Sequence, residues 1–183
     1  FQDRSYFHLI RNFRRYSWLL IYLFGASPAV CTSFIRNREH DLDVFDQNSL
    51  YLPDATSLRM GPLGYQSSAQ SGLHISYNNL ERYAQTMIDA LIRPFPAYET
   101  IGVEVDGHYR QLNTSLLQIE NEFYGSIRPK RRIQPGERPI NALRKRGVEY
   151  VEVRCLDLNP FLEIGIDTET LRFLDVFLLV CLL

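Results

Sequence analysis

The 183-residue sequence predicts a mixed fold of class α+β, and three observations support this prediction. Apolar residues recur at helical spacing over residues 9–23 and again over residues 80–91. Asp106 and Gly107 form a two-residue turn typical of a β-hairpin. Residues 148–155 alternate polar and apolar side chains, as expected of a strand with one buried face. We expect one domain, or part of one, because the sequence contains no repeat, low-complexity tract or linker.

The N-terminal part predicts two helices. The first is expected over residues 5–24, with Gly25 ending it. Its buried face is expected to consist of Leu9, Phe13, Tyr16, Leu20 and Leu23. The apolar face widens after Ser17, so we expect the end of this helix to lie in a core. Ser27 and Pro28 resemble an N-cap and a first helical residue, which predicts a short second helix over residues 31–35.

The middle of the chain is expected to contain loops, one helix and a hairpin. Residues 37–49 are polar and acidic, which favours a solvated loop over a metal site because the Gly and final Glu of a calcium loop are absent. Residues 50–65 form a long irregular segment, a type of loop that often carries function. Asn78 or Asn79 is expected to cap a helix that Pro94 ends, and residues 101–112 are expected to form the hairpin.

The C-terminal part is expected to alternate strands and helices. A strand is expected around Phe123, and a short helix from Pro139 to Gly147. Residues 148–155 form the next strand, and Asp167 caps a final helix. Residues 173–183 are almost wholly apolar and carry no helix stop signal, and the chain lacks an initial Met. We therefore expect residues 1–183 to be an internal fragment of one catalytic domain, truncated at both ends.

Composition disfavours several classes of protein. The formal net charge of −1 gives no field that would attract nucleic acid or a membrane surface. No apolar run reaches the ~18 residues required for a membrane span. The three cysteines are widely spaced, which disfavours a disulfide scaffold or a zinc site and suits the reducing cytoplasm.

The strongest local signal is a carboxylate and a guanidinium two residues apart in a predicted strand. Glu152 and Arg154 share one face, and Val151 and Val153 lie on the other. This pattern is typical of a structural ion pair, but it also suits a site for Mg²⁺ and phosphate. Spacing alone leaves both interpretations open.

Three weaker signals accompany it. Glu120 and Glu122 would share a face with Tyr124 if they lay in a strand, which would suit a metal site or a solvated surface. Residues 127–131 are basic and could contact ATP phosphates, bind RNA or form a solvated loop. Arg59 and Tyr65 lie in the irregular segment and could clamp a small carboxylate.

Six segments together carry a family resemblance. They are residues 22–28 (YLFGASP), 52–59 (LPDATSLR), 63–65 (LGY), 117–122 (LQIENE), 127–131 (IRPKR), and 149–154 (EYVEVR) continuing to 159–161 (NPF). In this order they resemble bacterial glutamate–cysteine ligase, also called γ-glutamylcysteine synthetase. The resemblance implies a fold like that of glutamine synthetase, with a mainly antiparallel sheet and flanking helices around a funnel-shaped site. It also implies ATP-dependent joining of glutamate and cysteine through an acyl phosphate, with Mg²⁺ as cofactor, as the first step of glutathione biosynthesis.

The resemblance assigns roles to individual residues. Arg154 would contact the transferred phosphoryl group, and Glu152 would bind Mg²⁺. The cysteine substrate would be held by Arg59, Tyr65 and Tyr124. Nucleotide contacts would come from Ser27, Arg128 and Lys130. The family's other acidic metal ligands are absent from this sequence, so we expect these 183 residues to be inactive without the N- and C-terminal parts of the same chain.

Two alternatives remain open at this point. The first is a related glutamine synthetase-like ligase that uses another amine. The second is a non-catalytic module that binds nucleic acid through the basic segment near Arg128, although that segment lacks the interleaved aromatic residues that stack on bases.

Overall fold

The computed structural model describes residues 1–36, 38–64 and 68–183. Its helices are α1 (Gln2–Phe24), α2 (Leu80–Ile92), α3 (Pro96–Ile101), α4 (Pro139–Arg146) and α5 (Thr168–Leu182). Its strands are β1 (Ala29–Cys31), β2 (Asp43–Val44), β3 (Ser49–Tyr51), β4 (Glu104–Val105), β5 (His108–Tyr109), β6 (Ile127–Lys130) and β7 (Tyr150–Val153). Short 3₁₀ turns occur at Leu58–Met60, Ser68–Gln70 and Glu120–Glu122. The predicted α+β class is confirmed.

The named strands of the described residues form small antiparallel sheets. Strand β3 lies between β1 and β2, β4 pairs with β5, and β6 pairs with β7. One isolated parallel bridge joins Ser27 to Ser57 and ties the segment after α1 to the first 3₁₀ turn. This bridge brings two distant parts of the chain to one place beside the β6–β7 pair.

The core lies between α1, α5, α2 and the β6–β7 pair. The largest buried side chains of α1 are Phe7, Ile10, Phe13 and Leu20. Phe13 packs edge-on against Phe177 of α5, with the ring centroids 5.6 Å apart. Burial of such aromatic surface is the main force that holds the two helices together.

The predicted helix over residues 5–24 is confirmed, but its buried face was partly wrong. Tyr16 and Leu23 are exposed. One side of the helix end lies in the core, as expected: Leu20 is fully buried, and Phe24 packs against Phe173 of α5. Trp18 and Tyr22 on the other side are exposed. The core runs instead along the stripe that includes Phe7, Ile10 and Ser17, which faces α5 and the sheet. Composition alone could not indicate which of two apolar stripes would find a partner.

The predicted second helix at residues 31–35 was wrong. Ser27 and Pro28 lead into strand β1, and turns follow it. Pairing of Ala29 with Tyr51 and of Cys31 with Ser49 satisfies this backbone across the sheet. A distant partner strand therefore overrides a local capping signal.

Several local signals are confirmed. The Asn79 side chain caps α2 by accepting from the amide of Arg82 at 2.9 Å. Asp167 caps α5 by accepting from Thr170 at 2.7 Å. Gly147 ends α4 with φ of 75°, and Asp106 and Gly107 form the hairpin turn with φ of 53° and 75°. His108 is exposed beside that turn, as predicted.

Two predicted strands differ in extent or existence. The hairpin is shorter than predicted, because Ile101 ends α3 and pairing begins at Glu104. The strand expected around Phe123 is absent: Glu120–Glu122 forms a 3₁₀ turn, and the Glu122 carboxylate accepts from the amide of Gln118 at 2.6 Å. That side chain-to-backbone bond favours a turn over an extended chain.

Of the helices in the described ranges, none combines the length and the apolar character that crossing a bilayer requires.

Candidate active site

The β6–β7 pair presents one apolar face and one charged face. Pro129 lies opposite Val151, and Ile127 lies opposite Val153, on the face that packs on the core. Side chains of alternate residues in a strand leave opposite faces, so the neighbouring positions form the second face. The second face carries Arg128, Lys130, Tyr150 and Glu152, with Arg154 following at the end of β7. It therefore holds three cations and one carboxylate.

Arg128 is the most deeply placed of these charges, with only 4% of its surface exposed. Its Nη2 donates to the carbonyl oxygen of Asn121 at 3.0 Å, and its guanidinium lies 5.9 Å from the centroid of the Phe123 ring. Burial lowers the pKa of Arg128, and the nearby charge of Arg154 lowers it further. Nε of Arg128 has no hydrogen-bond partner among the described residues. Burial of the positive charge of Arg128 therefore costs free energy of folding.

Glu152 pairs with a lysine of the neighbouring strand. Oε2 of Glu152 lies 3.4 Å from Nζ of Lys130 and is shielded from solvent. Glu152 is also directly opposite Arg128 in the ladder. Glu152 thus forms its ion pair with Lys130, a different residue from the Arg154 that the sequence suggested as a partner.

A cavity of about 480 Å³ lies next to the end of β7. Its described lining includes four predicted site residues: Ser27, Arg59, Tyr124 and Arg154. They come from the segment after α1, the first 3₁₀ turn, the loop before β6 and the end of β7. Convergence of four distant segments on one concavity, with two guanidinium groups in its wall, suits binding of a small anionic ligand.

Arg59 is anchored to the chain that follows β7. Its Nη2 donates to the carbonyl oxygen of Arg154 at 2.9 Å, and its Nη1 donates to that of Leu156 at 3.2 Å. Nη1 also lies 3.5 Å from Oδ1 of Asp157. A guanidinium is planar and has five N–H donors, so these contacts fix the orientation of its plane.

Asp157 carries a buried charge, and the sequence analysis assigned no role to it. Its side chain is 4% exposed, and Oδ2 accepts from the Ser27 hydroxyl at 2.6 Å and from the Ala26 amide at 3.0 Å. Burial alone would raise the pKa of Asp157, but hydrogen bonds from Ser27, Ala26 and Ser57, with the charge of Arg59, lower it overall. The available signal was an acid two residues after Cys155, the buried last residue of the predicted strand.

A smaller cavity of about 140 Å³ adjoins the charged face. Its lining includes Arg128 and Lys130 together with Asn121 and Tyr150. The structure thus divides the three predicted nucleotide contacts: Arg128 and Lys130 share this cavity, and Ser27 lines the larger one. The hypothesis of a solvated basic loop was wrong for residues 127–130, which form the buried strand β6.

Glu120 and Glu122, the acidic pair noted in the sequence, both form contacts within the protein. Glu120 accepts from Nε of Arg138 at 3.1 Å, and Glu122 accepts from the backbone of Gln118. Most of the other basic side chains that follow β6 are paired as well. Arg131 lies 3.8 Å from Glu149, and Arg146 forms a two-pronged bond with Glu137.

The described residues do not by themselves fit a magnesium ion. Mg²⁺ requires several oxygen ligands in near-octahedral geometry. Within the described ranges, no three His, Cys, Asp or Glu side chains come close enough to hold a metal. Glu152 is a single carboxylate, and its Oε2 lies 3.4 Å from the ammonium group of Lys130.

The structure therefore brings together half of the predicted site. Ser27, Arg59, Tyr124 and Arg154 share the larger cavity. Glu152 is absent from the described lining of that cavity, although it lies on the same face of β7 as Arg154, two residues before it. Tyr65, the remaining predicted substrate contact, lies outside the described residues, and its neighbour Gly64 lines the larger cavity.

Comparison with known proteins points to one family. The model of the glutamate–cysteine ligase family matches residues 1–183. The glutamate–cysteine ligase of Hahella chejuensis is 61% identical over 183 residues, and that of Alcanivorax borkumensis is 62% identical over 186 aligned residues. These alignments cover 100% and 99% of this chain but 35% of each relative. The chain thus spans about a third of the length of the curated relatives that it matches.

Solved structures show the same likeness in three dimensions. A crystal structure of glutamate–cysteine ligase from Francisella tularensis in complex with AMP superposes with a TM-score of 0.92 at 45% identity. The match covers 98% of this chain and 36% of that one. A bifunctional glutathione synthetase from Pasteurella multocida gives a TM-score of 0.63 at 25% identity, covering 99% of this chain and 19% of the other.

Proposed function

Because this chain belongs to the glutamate–cysteine ligase family, we propose that it is a segment of one catalytic domain of an ATP-dependent ligase. The enzyme joins the γ-carboxylate of L-glutamate to the amine of L-cysteine in the cytoplasm, as the first step of glutathione biosynthesis. The observation that carries this proposal is the larger cavity, which gathers Ser27, Arg59, Tyr124 and Arg154 from four separate segments.

The proposed chemistry has two steps. A γ-carboxylate oxygen of glutamate attacks the terminal phosphorus of ATP, and ADP leaves as an acyl phosphate forms. The cysteine amine then attacks the acyl carbon, the bond from carbon to the phosphate oxygen breaks, and the amine nitrogen loses a proton as the amide forms. Phosphoryl transfer is catalysed mainly by positioning and by neutralisation of charge on the phosphoryl oxygens.

Arg154 is the residue we assign to the transferred phosphoryl group. Arg154 lines the larger cavity, and planar guanidinium groups match phosphoryl oxygens in both charge and geometry. Arg59 and Tyr124, with Tyr65, would hold cysteine. Arg59, which lines the larger cavity, would pair with the cysteine carboxylate through its positive charge.

Arg128 and Lys130 would contribute to nucleotide binding from the smaller cavity, and Ser27 from the larger one. The excess of positive charge on this face supports a polyphosphate ligand, and the related Francisella tularensis structure is a complex with AMP. Glu152 stays the one side chain that we propose as a Mg²⁺ ligand. The other ligands would come from the nucleotide and from parts of the longer protein, so we expect these 183 residues alone to be inactive.

Isotope transfer in the full-length enzyme tests the proposal. Glutamate labelled with ¹⁸O in its γ-carboxylate is incubated with ATP and cysteine. We expect one labelled oxygen in each inorganic phosphate released, because the acyl oxygen bound to phosphorus leaves with it. Unlabelled phosphate would overturn the acyl-phosphate route, and release of labelled phosphate in the presence of cysteine without formation of the glutamate–cysteine amide would overturn the choice of amine.

A screen of amines in the same assay separates the alternative ligase. If another amine supports product formation with a higher kcat/KM than cysteine, the cavity around Arg59 and Tyr124 serves that amine instead. The 183-residue chain is assayed in parallel. ADP release above background with glutamate and cysteine would show that the longer protein is not required.

A further inference from the structure

Three segments of the chain meet at the carboxylate of Asp157. Oδ2 of Asp157 accepts hydrogen bonds from the segment after α1, at the Ala26 amide and the Ser27 hydroxyl. Oδ1 faces Nη1 of Arg59, in the first 3₁₀ turn, at 3.5 Å. Asp157 itself lies in the chain that leaves β7, three residues after Arg154. One buried group thus links the strand end to two other walls of the larger cavity.

The linkage closes a ring of contacts around that cavity. Arg59 donates back to the carbonyl oxygens of Arg154 and Leu156, and the Ser27 and Ser57 hydroxyl oxygens lie 3.2 Å apart. A buried carboxylate is tolerated only when it is paired and hydrogen-bonded, so its contacts hold all three segments at fixed separation. Removal of the carboxylate takes away the negative charge that faces Nη1 of Arg59.

Asp157 does not itself line the larger cavity in the described structure. It faces instead a neighbouring cavity of about 480 Å³, between the end of α1 and residues 156–166. Any effect of Asp157 on a ligand in the larger cavity therefore passes through Ser27 and Arg59. This separation distinguishes a group that orients other groups from a group that binds substrate.

We infer that Asp157 is a positioning residue for the cysteine-binding wall, which orients Arg59 and Ser27 and so determines affinity for the amino-acid substrate more than the rate of the chemical step. This inference rests on the proposed function, because it takes Arg59 as the partner of the cysteine carboxylate. It assigns a role to a residue outside the set that the family resemblance identified.

Steady-state kinetics of the full-length enzyme test the inference. In D157A, we expect the KM for cysteine to rise at least about tenfold, as lost orientation of a charge-assisted bond requires, with kcat and the KM for ATP changing much less. R59A should show the same pattern. The double variant D157A/R59A should be no worse than R59A alone, because residues that act as one unit are not additive.

The variant D157N separates orientation from folding. Its amide oxygen can still accept from Ser27 and Ala26, but its NH₂ group then faces Arg59 and cannot pair with it. We expect D157N to regain thermal stability relative to D157A while its KM for cysteine stays raised. If D157A does not fold, D157N alone decides: a wild-type KM for cysteine in D157N overturns the inference.

The matched control is D167A. Asp167 is another acid that accepts from a backbone amide, but it caps α5 and does not contact Arg59. D167A should lower the melting temperature with no selective change in the KM for cysteine.

If D167A reproduces the selective KM change, or D157A lowers kcat and raises every KM alike, Asp157 is only structural. Absence of ligase activity in the wild-type enzyme would refute the proposed function itself.

Discussion

Arg128 and Glu152 are paired directly across the β6–β7 ladder, so both side chains leave the same face of this two-stranded sheet. Arg128 is almost fully buried there, and Glu152 reaches Lys130 at 3.4 Å. The face carries more positive than negative charge, and its single carboxylate partly balances the charges of Arg128 and Lys130. Loss of that carboxylate would change the charge of the face without changing its packing.

The substitution E152Q in the full-length enzyme tests the role of this carboxylate. We expect kcat to fall at least about tenfold, with a much smaller rise in the KM for cysteine, because charge positioning acts mainly in the transition state. E149Q is the matched control, three residues earlier in the same segment: Glu149 contacts Arg131 and the amide of Arg132. If E149Q lowers kcat as much as E152Q, or E152Q raises only the KM for cysteine, the assignment of Glu152 is wrong.

The corrected face of α1 gives a stability prediction. Phe13 is fully buried against Phe177, whereas Tyr16, three residues later, is 43% exposed. F13A should destabilise the protein by about 3–5 kcal/mol, since it removes an aromatic ring from a packed core. Y16A should cost less than about 1 kcal/mol, as is usual for exposed positions. Urea unfolding of both variants measures the difference, and equal losses would mean that both stripes of α1 are buried.

Sequence reasoning succeeded where a signal acts within a few residues. Asn79 and Asp167 cap their helices through their own side chains, and Gly147 adopts the positive φ that ends α4. The Asp106–Gly107 turn likewise requires only its own two residues. Each of these features is decided by local geometry, so a single sequence contains all the information required.

The local sequence does not predict structure that depends on a partner far away in the chain. Residues 27–31 carry a helix-start signal, but pairing with β3 and the bridge to Ser57 make them extended. The sharing of one cavity by Arg59 and Arg154 depends on backbone contacts between segments 95 residues apart. Asp157 was missed for the same reason, because its importance lies in its burial and in its bond to Ser27, 130 residues away.

The ion pair between Glu137 and Arg146 predicts a dependence of stability on pH. Hydrogen bonds from Arg146, at 2.8 Å and 2.7 Å, and from the amide of Gln134 lower the pKa of Glu137 to about 2 from its usual 4.5. A lowered pKa in the folded state means that the carboxylate stabilises the protein above about pH 4.5, and that this stabilisation is lost as the pH falls toward about 2.

The urea midpoints of wild type and E137Q, measured from pH 6 to the acid limit of folding, test this sign. We expect the difference between them to be constant above about pH 5 and to shrink as the pH falls below about 4.5. E163Q is the control, because Glu163 is exposed and forms no ion pair within the described residues. A difference for E137Q that grows in acid would contradict the assignment.

Gly25, at the end of α1, is where the chain turns toward Ser27 and the larger cavity. A Cβ added at this position would lie 2.5 Å from the carbonyl oxygen of Ile21 and 2.7 Å from that of Thr56. Both oxygens accept hydrogen bonds that fix the segment: the amide of Gly25 and the hydroxyl of Thr56 donate to Ile21, and the amide of Ser27 donates to Thr56. The φ of −65° is open to any residue, so the requirement for glycine here is purely steric.

The substitution G25A should therefore destabilise the protein by about 1–3 kcal/mol, because backbone atoms must move to relieve the clash. The same movement separates residues 25–28 from Thr56, so the KM for cysteine in the full-length enzyme should rise as Ser27 and Arg59 lose their register. G72A is the matched control, since nothing lies within 4 Å of a Cβ at Gly72, and its stability should change by less than about 0.5 kcal/mol. Wild-type stability in G25A would mean that the turn after α1 can shift freely. In that case the close packing of residues 25–28 against Thr56 would not position the cavity wall.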